Sequence, residues 1–412
     1  MRVAVVGGGP AGLVAGIALL RLGLDATVLE REPGFGHVGG GVALQTNGMA
    51  VLAAIGVLDG LRPALRPYLA AEIRAGDGRV LARTSYGDAP IALPFGPPAI
   101  IQRHVLLDRL RSAALAEGVP VRMGHRVTAL RRDGDGAVVM WEGTGARAGG
   151  AGEEAFDAVV AADGARSVVR EAAGLQGTSH PVGEAYLRVV SQAAVGEGAV
   201  EVWSSDGRRA GLTPLAGDET YLYLSVPVGG WDDIRRHRLE SWKAGWADLG
   251  HDVGRAVAGV RDWDAASYDE IAEVHLERWA APPVFVAGDA AHAMTPNLGQ
   301  GLNSAVVDAL VLARLLAGTP DDLDGVAARY GALRPEFAHR LQREAGRLGR
   351  LARLSGAPAK IRDAVLPLAT RIPGSTARTM RLLAGEHPPE RPYLRPLPAR
   401  HAGDPAGTAD RA

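Results

Sequence analysis

The sequence predicts an α/β fold: a Rossmann-like domain of three layers around a parallel sheet, an inserted β-rich domain, and C-terminal helices. Three observations predict it. The first thirty residues read as strand, glycine turn, helix, strand and acid. Residues 179–273 then change to alternating, β-rich patterning, and αβ character returns near residue 284 before a helical stretch.

The elements follow in order. Val3 to Val6 is an apolar run suited to a strand buried on both faces of a parallel sheet. Gly7, Gly9 and Gly12, spaced G-x-G-x-x-G, open a helix from Pro10 through Ala11 to about Leu22. Gly7 makes the tight turn, Gly9 lets the backbone approach a pyrophosphate, and Gly12 lets helix and strand pack closely. The free N–H groups of the helix start suit that diphosphate. A second strand, Ala26 to Leu29, ends in Glu30, followed by Arg31. Glu30 lies 18 residues after Gly12, where a carboxylate accepts hydrogen bonds from an adenosine ribose. This context makes the unit an adenine-dinucleotide site rather than a chance product of 55 glycines.

A glycine-rich loop from Pro33 to Gly41 leads to a short helix with Met49, Leu52, Ala53, Ile55 and Leu58 on its apolar face, ending near Gly56 to Gly60. Residues 66–97 read as short strands with turns at Gly76-Asp77-Gly78 and Gly87-Asp88. Val105, Leu106, Leu110, Ala113 and Ala114 mark the next helix, stopped at Gly118. Strands follow at 119–123, 125–132, 137–142 and 156–161. The β-rich stretch from Ser179 to Glu273 contains one helix, near Ile234 to Ala247. Strand Val284 to Ala287 precedes a loop and a long helix. Residues 325–385 read as helices broken at Pro358, Pro367 and Pro373, and 386–412 as a disordered, Pro/Gly/Arg/Asp-rich tail.

The implied domains are 1–70, 98–178 and 274–325 for the dinucleotide-binding domain, with 71–97 and 179–273 as the β-rich substrate domain. Residues 326–385 form the C-terminal helices. Three segments distant in the chain therefore meet at one cofactor site.

Composition bounds the function. Hydrophobic residues at 47% and charged residues at 22% describe an ordinary globular chain. A net charge of −1 steers it toward neither nucleic acid nor membrane. The absence of cysteine removes disulfides and thiolate metal sites, and fits a reducing cytoplasm. No signal peptide precedes Arg2, no apolar run reaches the roughly 18 residues of a membrane span, and the eleven histidines form no metal-ligand pattern.

Two further motifs bear on chemistry. Asp163-Gly164-Ala165-Arg166-Ser167, with Arg170, follows the strand ending at Ala161 and suits a turn into a short helix. Gly288-Asp289-Ala290-Ala291-His292 is followed by Pro296 and by Gly299-Gln300-Gly301-Leu302-Asn303, so Asp289 reaches the C-terminal edge of a sheet, where open α/β folds bind ligands. The glycines at 299 and 301 turn the chain into a helix start whose amides favour negative charge.

In content and order, these motifs resemble the single-component FAD-dependent aromatic hydroxylases of the para-hydroxybenzoate and salicylate hydroxylase type, over roughly residues 1–320. The resemblance implies that Gly7, Gly9, Gly12 and Glu30 hold the ADP half of FAD and that Arg103 reaches the diphosphate. It implies that Asp163 serves both FAD and a nicotinamide donor, and that Asp289 holds the ribityl chain. Gly41 to Asn47 would flank the flavin ring, with Pro296, Gly299, Gly301, Leu302 and Asn303 along its other side.

The implied activity is hydroxylation of an aromatic or polyketide-like small molecule. NADPH or NADH reduces the flavin, O2 adds at C4a, and the hydroperoxide's terminal oxygen passes to an electron-rich carbon. Baeyer–Villiger oxidation, epoxidation, or flavin binding without turnover remain open; the W-x-W-x-I-P segment of flavin-dependent halogenases is absent. Arg188, Trp203, Tyr221, Tyr223 and Pro296 are the substrate-side residues, although strand aromatics also pack sheets. His292 is either a proton shuttle or a locally bonded residue. The run Arg340, Arg343, Arg347, Arg350 and Arg353 reads as a solvated helix face. No side chain stands out as acid or base. Assembly is expected as monomer or homodimer.

Overall fold

The computed structural model describes residues 1–34, 40–87, 91–264 and 266–398. The middle of the glycine-rich loop, Asp88 of the expected Gly87-Asp88 turn, and residues 399–412 of the tail lie outside the described residues.

A six-stranded sheet forms the base, in the order Ala280–Ala281, Val284–Val286, Ala158–Ala161, Arg2–Val6, Asp25–Glu30, Val121–Met123. All neighbours are parallel except the short first pair. Val5 aligns with Val28 on one side and Val160 on the other. Helices Pro10–Arg21, Arg103–Ala116 and Gly301–Gly318 pack together over the sheet, and strands His125–Asp133, Gly136–Gly143 and Ala151–Phe156 form an antiparallel sheet against its strands. Val3, Ala4 and Val5 are consequently buried on both faces, as the apolar run predicts. Helix Gly301–Gly318 has the length and hydropathy to cross a bilayer, but it is mostly buried against Pro10–Arg21.

The inserted β-rich region is a seven-stranded sheet: Ala266–Leu276, Gly177–Ser191, Thr220–Val226, Arg209–Pro214, Ala199–Trp203, Ala70–Ala75, Val80–Ser85. Strand alternation gives it two distinct faces. Val189, Val202, Ala210, Leu212, Leu222 and Leu224 pack against the helical segment 239–260. The opposite face bears Tyr186, Arg188, Arg209, Tyr221 and Tyr223 by the register of the strands.

Four local expectations are corrected. The helix expected near Ile234 to Ala247 is three short helices, Trp231–Arg236, Leu239–Ala244 and His251–Ala258, because glycines and an extended His237 interrupt it. The strand expected at 156–161 is Ala158–Ala161, and a further strand, Ala151–Phe156, precedes it. Pro358 and Pro367 do not break the helix Gly356–Ala369. Pro358 lies in the first turn, where the amide has no intrahelical acceptor, and Pro367 lies in the last. Residues 386–398 are ordered: Pro388–Leu394 is a 3-10 helix, and the fully buried Glu390 pairs with the fully buried Arg334. A charged pair made by residues 56 positions apart leaves no trace in local composition.

Candidate functional site

The three motifs converge because the sheet's strand order reverses beside its first strand. The chain moves from Arg2–Val6 outward to Asp25–Glu30 on one side, and strand Ala158–Ala161 takes the other. The crevice at such a switch point receives Gly7, Asp163 and Asp289 from the C-terminal ends of three parallel strands.

At the dinucleotide turn, Gly7 has φ +106°, and a Cβ there would lie 2.3 Å from the Ala162 carbonyl oxygen. A Cβ on Gly12 would lie 1.9 Å from the Gly7 carbonyl oxygen. Both glycines are thus required by the protein's own packing. Gly9 differs: a Cβ there meets nothing within 4 Å, so it borders open space at the N-cap of helix Pro10–Arg21. Pro10 is the first helical residue and has no N–H, which leaves the Ala11 and Gly12 amides free of intrahelical acceptors. Glu30 accepts from Gly8 N at 2.5 Å and Glu32 N at 2.8 Å, which seats its carboxylate against the glycine turn. Arg31 is exposed beside it, and Arg103 is exposed at the start of helix Arg103–Ala116, its amide donating to Gly40 O at 2.8 Å.

Asp163 caps the helix Val168–Ala172 through Oδ2, which accepts from Val169 N at 3.3 Å. Its Oδ1 is buried and has no partner. Burial raises the Asp163 carboxyl above the ordinary range, against hydrogen bonds from Ser167 and Val169. Arg170 does not face the crevice; it is buried and donates to Ala165 O and Ala290 O, tying the second motif to the third.

The third motif holds two surprises. Asp289, expected at the C-terminal edge of the sheet, stands there exposed, at the first turn of helix Asp289–His292. The desolvated carboxylate is Asp308, fully buried in helix Gly301–Gly318. Its Oδ2 accepts from Gly288 N at 2.9 Å and lies 2.5 Å from His292 Nε2, while its Oδ1 accepts from Arg334 Nε at 2.6 Å. Burial works to raise the Asp308 carboxyl, but Arg334 and His292 outweigh it and hold it below the ordinary range. His292 is fully buried and stacked on Trp279 at 4.9 Å, and through Asp308 it braces the Gly288 turn.

Pro296 is exposed, in the 3-10 turn Pro296–Leu298. Gly299 follows at φ +61°, and its N–H donates to Pro296 O at 2.9 Å. Gly299 therefore shapes the turn and is not the amide donor its position suggested. The free amides belong to the first helical turn, Gly301, Leu302 and Asn303. The Asn303 side chain is buried and committed to protein. It accepts from Gln45 N at 3.0 Å and donates to Ala43 O at 2.9 Å and Gly299 O at 2.7 Å. It clamps strand Gly41–Leu44 to the turn.

The polar face of the seven-stranded sheet covers this region. A Cβ on Gly41 would fall 2.6 Å from the Tyr221 ring, so strand Gly41–Leu44 runs directly beneath Tyr221. Arg209, 1% exposed, contacts Glu201 and Asn297 and donates to the Tyr186 hydroxyl at 2.8 Å. Tyr223 donates to Glu201 Oε2 at 2.7 Å. Burial works against the Glu201 carboxylate, but Arg209 outweighs it and holds the carboxyl low. Arg188 faces Asp269 at 3.5 Å. Trp203 does not line a cavity: it is fully buried, bonded to Glu201 and covered by the Arg362 guanidinium 5.4 Å from its ring. Of the five arginines on helix Pro335–Ala352 and its cap, Arg347 pairs with Glu344 and Arg353 with Glu184.

The residues fit FAD. Gly9 leaves room for a diphosphate, and buried atoms without a protein partner flank the crevice: Asp163 Oδ1, Gln45 Oε1, Thr46 Oγ1 and Thr295 Oγ1. Buried polar atoms need partners, and ribityl hydroxyls with a ring edge that both donates and accepts would supply them. Gln45 lies in the segment Gly41 to Asn47 expected beside the ring; sequence reasoning missed Asp308, Arg209 and Thr295. None stands in a motif, and a charge inside an apolar helix, as Asp308 is in SAVVDALVL, was the available signal.

Comparison with known proteins agrees. The family described as "FAD binding domain" matches residues 1–341. A 3-amino-4-hydroxybenzoate 2-monooxygenase of Streptomyces platensis is 32% identical over 391 residues, 90% of this chain and 93% of that protein. The aurachin C monooxygenase/isomerase of Stigmatella aurantiaca is 30% identical over 366 residues, 87% of this chain and 91% of that protein. Among solved structures, Klebsiella pneumoniae HpxO complexed with FAD and uric acid superimposes with a TM-score of 0.76 at 21% identity, covering 93% of this chain and 97% of that one. This last likeness concerns the fold.

Proposed function

The chain belongs to the FAD-binding-domain family of flavoprotein aromatic monooxygenases, and from that premise we propose how its own residues divide the work. The amides of Ala11 and Gly12, with Arg103, take the FAD diphosphate; Glu30, with Arg31 beside it, takes the adenosine end. Asp163 Oδ1 and the exposed Asp289 carboxylate accept from the ribityl side. The ring lies between strand Gly41–Leu44 and the turn Pro296–Gly301. When bound, the flavin supplies the redox chemistry, accepting electrons from NADPH or NADH and activating O2.

The protein's share is position and field. The first-turn amides of Gly301, Leu302 and Asn303, at the positive end of an 18-residue helix, favour negative charge on the ring edge they face. Asn303 fixes the gap between strand and turn. Asp308 fixes Gly288, and so fixes where Asp289 begins its helix. The roof excludes water, which strengthens each electrostatic contact beneath it.

We assign the substrate to the aromatic and heteroaromatic class bearing electron-donating substituents, as in the 3-amino-4-hydroxybenzoate of the relative's name. The carrying observation is the buried Arg209. Its contact with Asn297, next to Pro296, seats the sheet face bearing Tyr221, Tyr223 and Arg188 over the flavin turn. Rings stack and a cation pairs with acid groups there, which suits a planar, acidic substrate. The cysteine-free chain supports a cytoplasmic setting.

Nicotinamide oxidation by the FAD-loaded protein tests the reading. Oxidation is expected to be slow alone and to accelerate with an amino- or hydroxy-substituted aromatic acid, giving a product labelled from isotopic O2. Failure of both nicotinamides to reduce the flavin, across a broad panel of such acids, would overturn it.

A further inference from the structure

Helix Gly356–Ala369 has two faces of opposite character. Its inner face is fixed: Ala359 is fully buried, and the buried Arg362 pairs with Asp363 at 2.7 Å and donates to Ala352 O at 3.0 Å. Its outer face presents Ile361, Val365 and Leu368, and the following turn adds Ile372; these four aliphatic side chains are 53–64% exposed. The spacing i, i+4, i+7 puts Ile361, Val365 and Leu368 on one stripe of the helix, and Ile372 follows in the turn beyond its end. Together they expose roughly 400 Å² of apolar surface, the size at which a patch marks an interaction site.

Along the chain, the charges that accompany the stripe are of one sign; the acids nearest on other elements, Asp77 and Asp206, are paired with Arg79 and Arg208. Between residues 355 and 381 the chain has five Lys or Arg and one acid, Asp363. Asp363 is buried against Arg362. Exposed Lys360 and Arg371 are chain neighbours of Ile361 and Ile372, the exposed Arg378 follows on the next helix, and no carboxylate is exposed in that span. This segregation occurs in a chain whose net charge is −1.

We propose that this face seats on an anionic lipid surface. An apolar stripe edged by Lys and Arg matches a bilayer interface, with acyl chains under the stripe and lipid phosphates at its rim. A second copy fits less well. Self-pairing sets cations against cations, and the stripe offers only about half the area each partner brings to a standard dimer interface. The helix also packs on strand Val80–Ser85, the edge of the seven-stranded sheet. Docking there sets the substrate-side domain, rather than the dinucleotide end, against the membrane.

Flotation of the full-length, FAD-loaded protein with vesicles provides the test. With vesicles of about one-third phosphatidylglycerol in phosphatidylcholine, the protein is expected to float, and to be released by about 0.5 M salt; with pure phosphatidylcholine it is expected to remain below. The pair Ile361→Ser and Leu368→Ser, both exposed, is expected to lower vesicle binding at least about tenfold with flavin content and melting unchanged. Lys360→Glu with Arg371→Glu is expected to do the same. Equal recovery of parent and variants with anionic vesicles overturns the proposal. So does absence of flotation, including the case where the parent is a dimer in solution that the serine pair dissociates, since the stripe is then a contact between copies.

Discussion

Single atoms at the crevice separate residues that hold the fold from residues that meet the cofactor. A Cβ on Gly12 meets a backbone oxygen at 1.9 Å, whereas one on Gly9 meets nothing. Gly12→Ala is therefore expected to destabilise the protein by at least about 3 kcal/mol, read by urea unfolding of the apoprotein. Gly9→Val is expected to leave that transition in place and weaken FAD binding by about tenfold or more, read by flavin fluorescence titration; a Gly9→Val protein with parental affinity would remove the diphosphate from this turn. Asp289 is exposed, so Asp289→Ala should keep the parental melting temperature and lose flavin affinity.

Asp308 follows the opposite rule. Asp308→Asn is expected to cost about 3–5 kcal/mol at neutral pH, since it takes one counter-charge from the buried Arg334. Its folded carboxyl lies below the ordinary range, so its contribution is complete above the unfolded value near pH 4 and fades as pH falls through the lower folded value. Urea unfolding across pH should show parent and variant converging below about pH 4. A constant gap would show that the charge on Asp308 is not what stabilises.

At the scale of elements, the C-terminal segment behaves as a strap across the site. Leu383 O accepts from Gln300 Nε2 at 2.5 Å, Ala384 O from Asn47 N at 3.2 Å, and Tyr393 O from Arg314 Nε at 2.9 Å. Glu390 completes the buried chain Glu390–Arg334–Asp308. Truncation after Leu382 removes all four contacts and leaves Arg334 with one counter-charge for its buried cation. A fall in melting temperature of roughly 5 °C or more is expected, with FAD lost on gel filtration that the full chain retains. Unchanged flavin retention would confine the strap to stability alone.

For the whole molecule, Arg209 is one of the bonds between domains, beside Gln102 to Glu219 and Arg353 to Glu184. It sits in the seven-stranded sheet and reaches Asn297, whose Nδ2 donates to Ala345 O at 2.9 Å in helix Pro335–Ala352. Arg209→Met removes that tether and leaves the half-buried Glu201 without its cation, at a cost of up to about 3 kcal/mol. Adding Glu201→Gln is expected to recover most of the stability, because the unpaired charge is gone. It is not expected to recover the substrate-stimulated rate of nicotinamide oxidation, because the roof stays untied from the turn. Recovery of both would reduce Arg209 to a counter-ion.

The sequence by itself determined the dinucleotide turn, the order of the motifs and the β-rich insertion. Each is written in local terms, as a glycine that backbone geometry demands, an apolar run of strand length, or a period of two. It also determined the turn from Pro296 to Gly301, because Pro296, Gly299 and Gly301 shape the chain where they stand. Tertiary structure decided which polar groups are partnered and which are open. Asp289 and Asp308 each follow or interrupt an apolar run; one is exposed and the other is buried between Arg334 and His292, 26 and 16 residues away. Trp203 and Tyr221 are both strand aromatics on one face, yet only the second stands over strand Gly41–Leu44. Burial and pairing are sums over neighbours brought together by the fold, and a residue's own sequence context does not contain them.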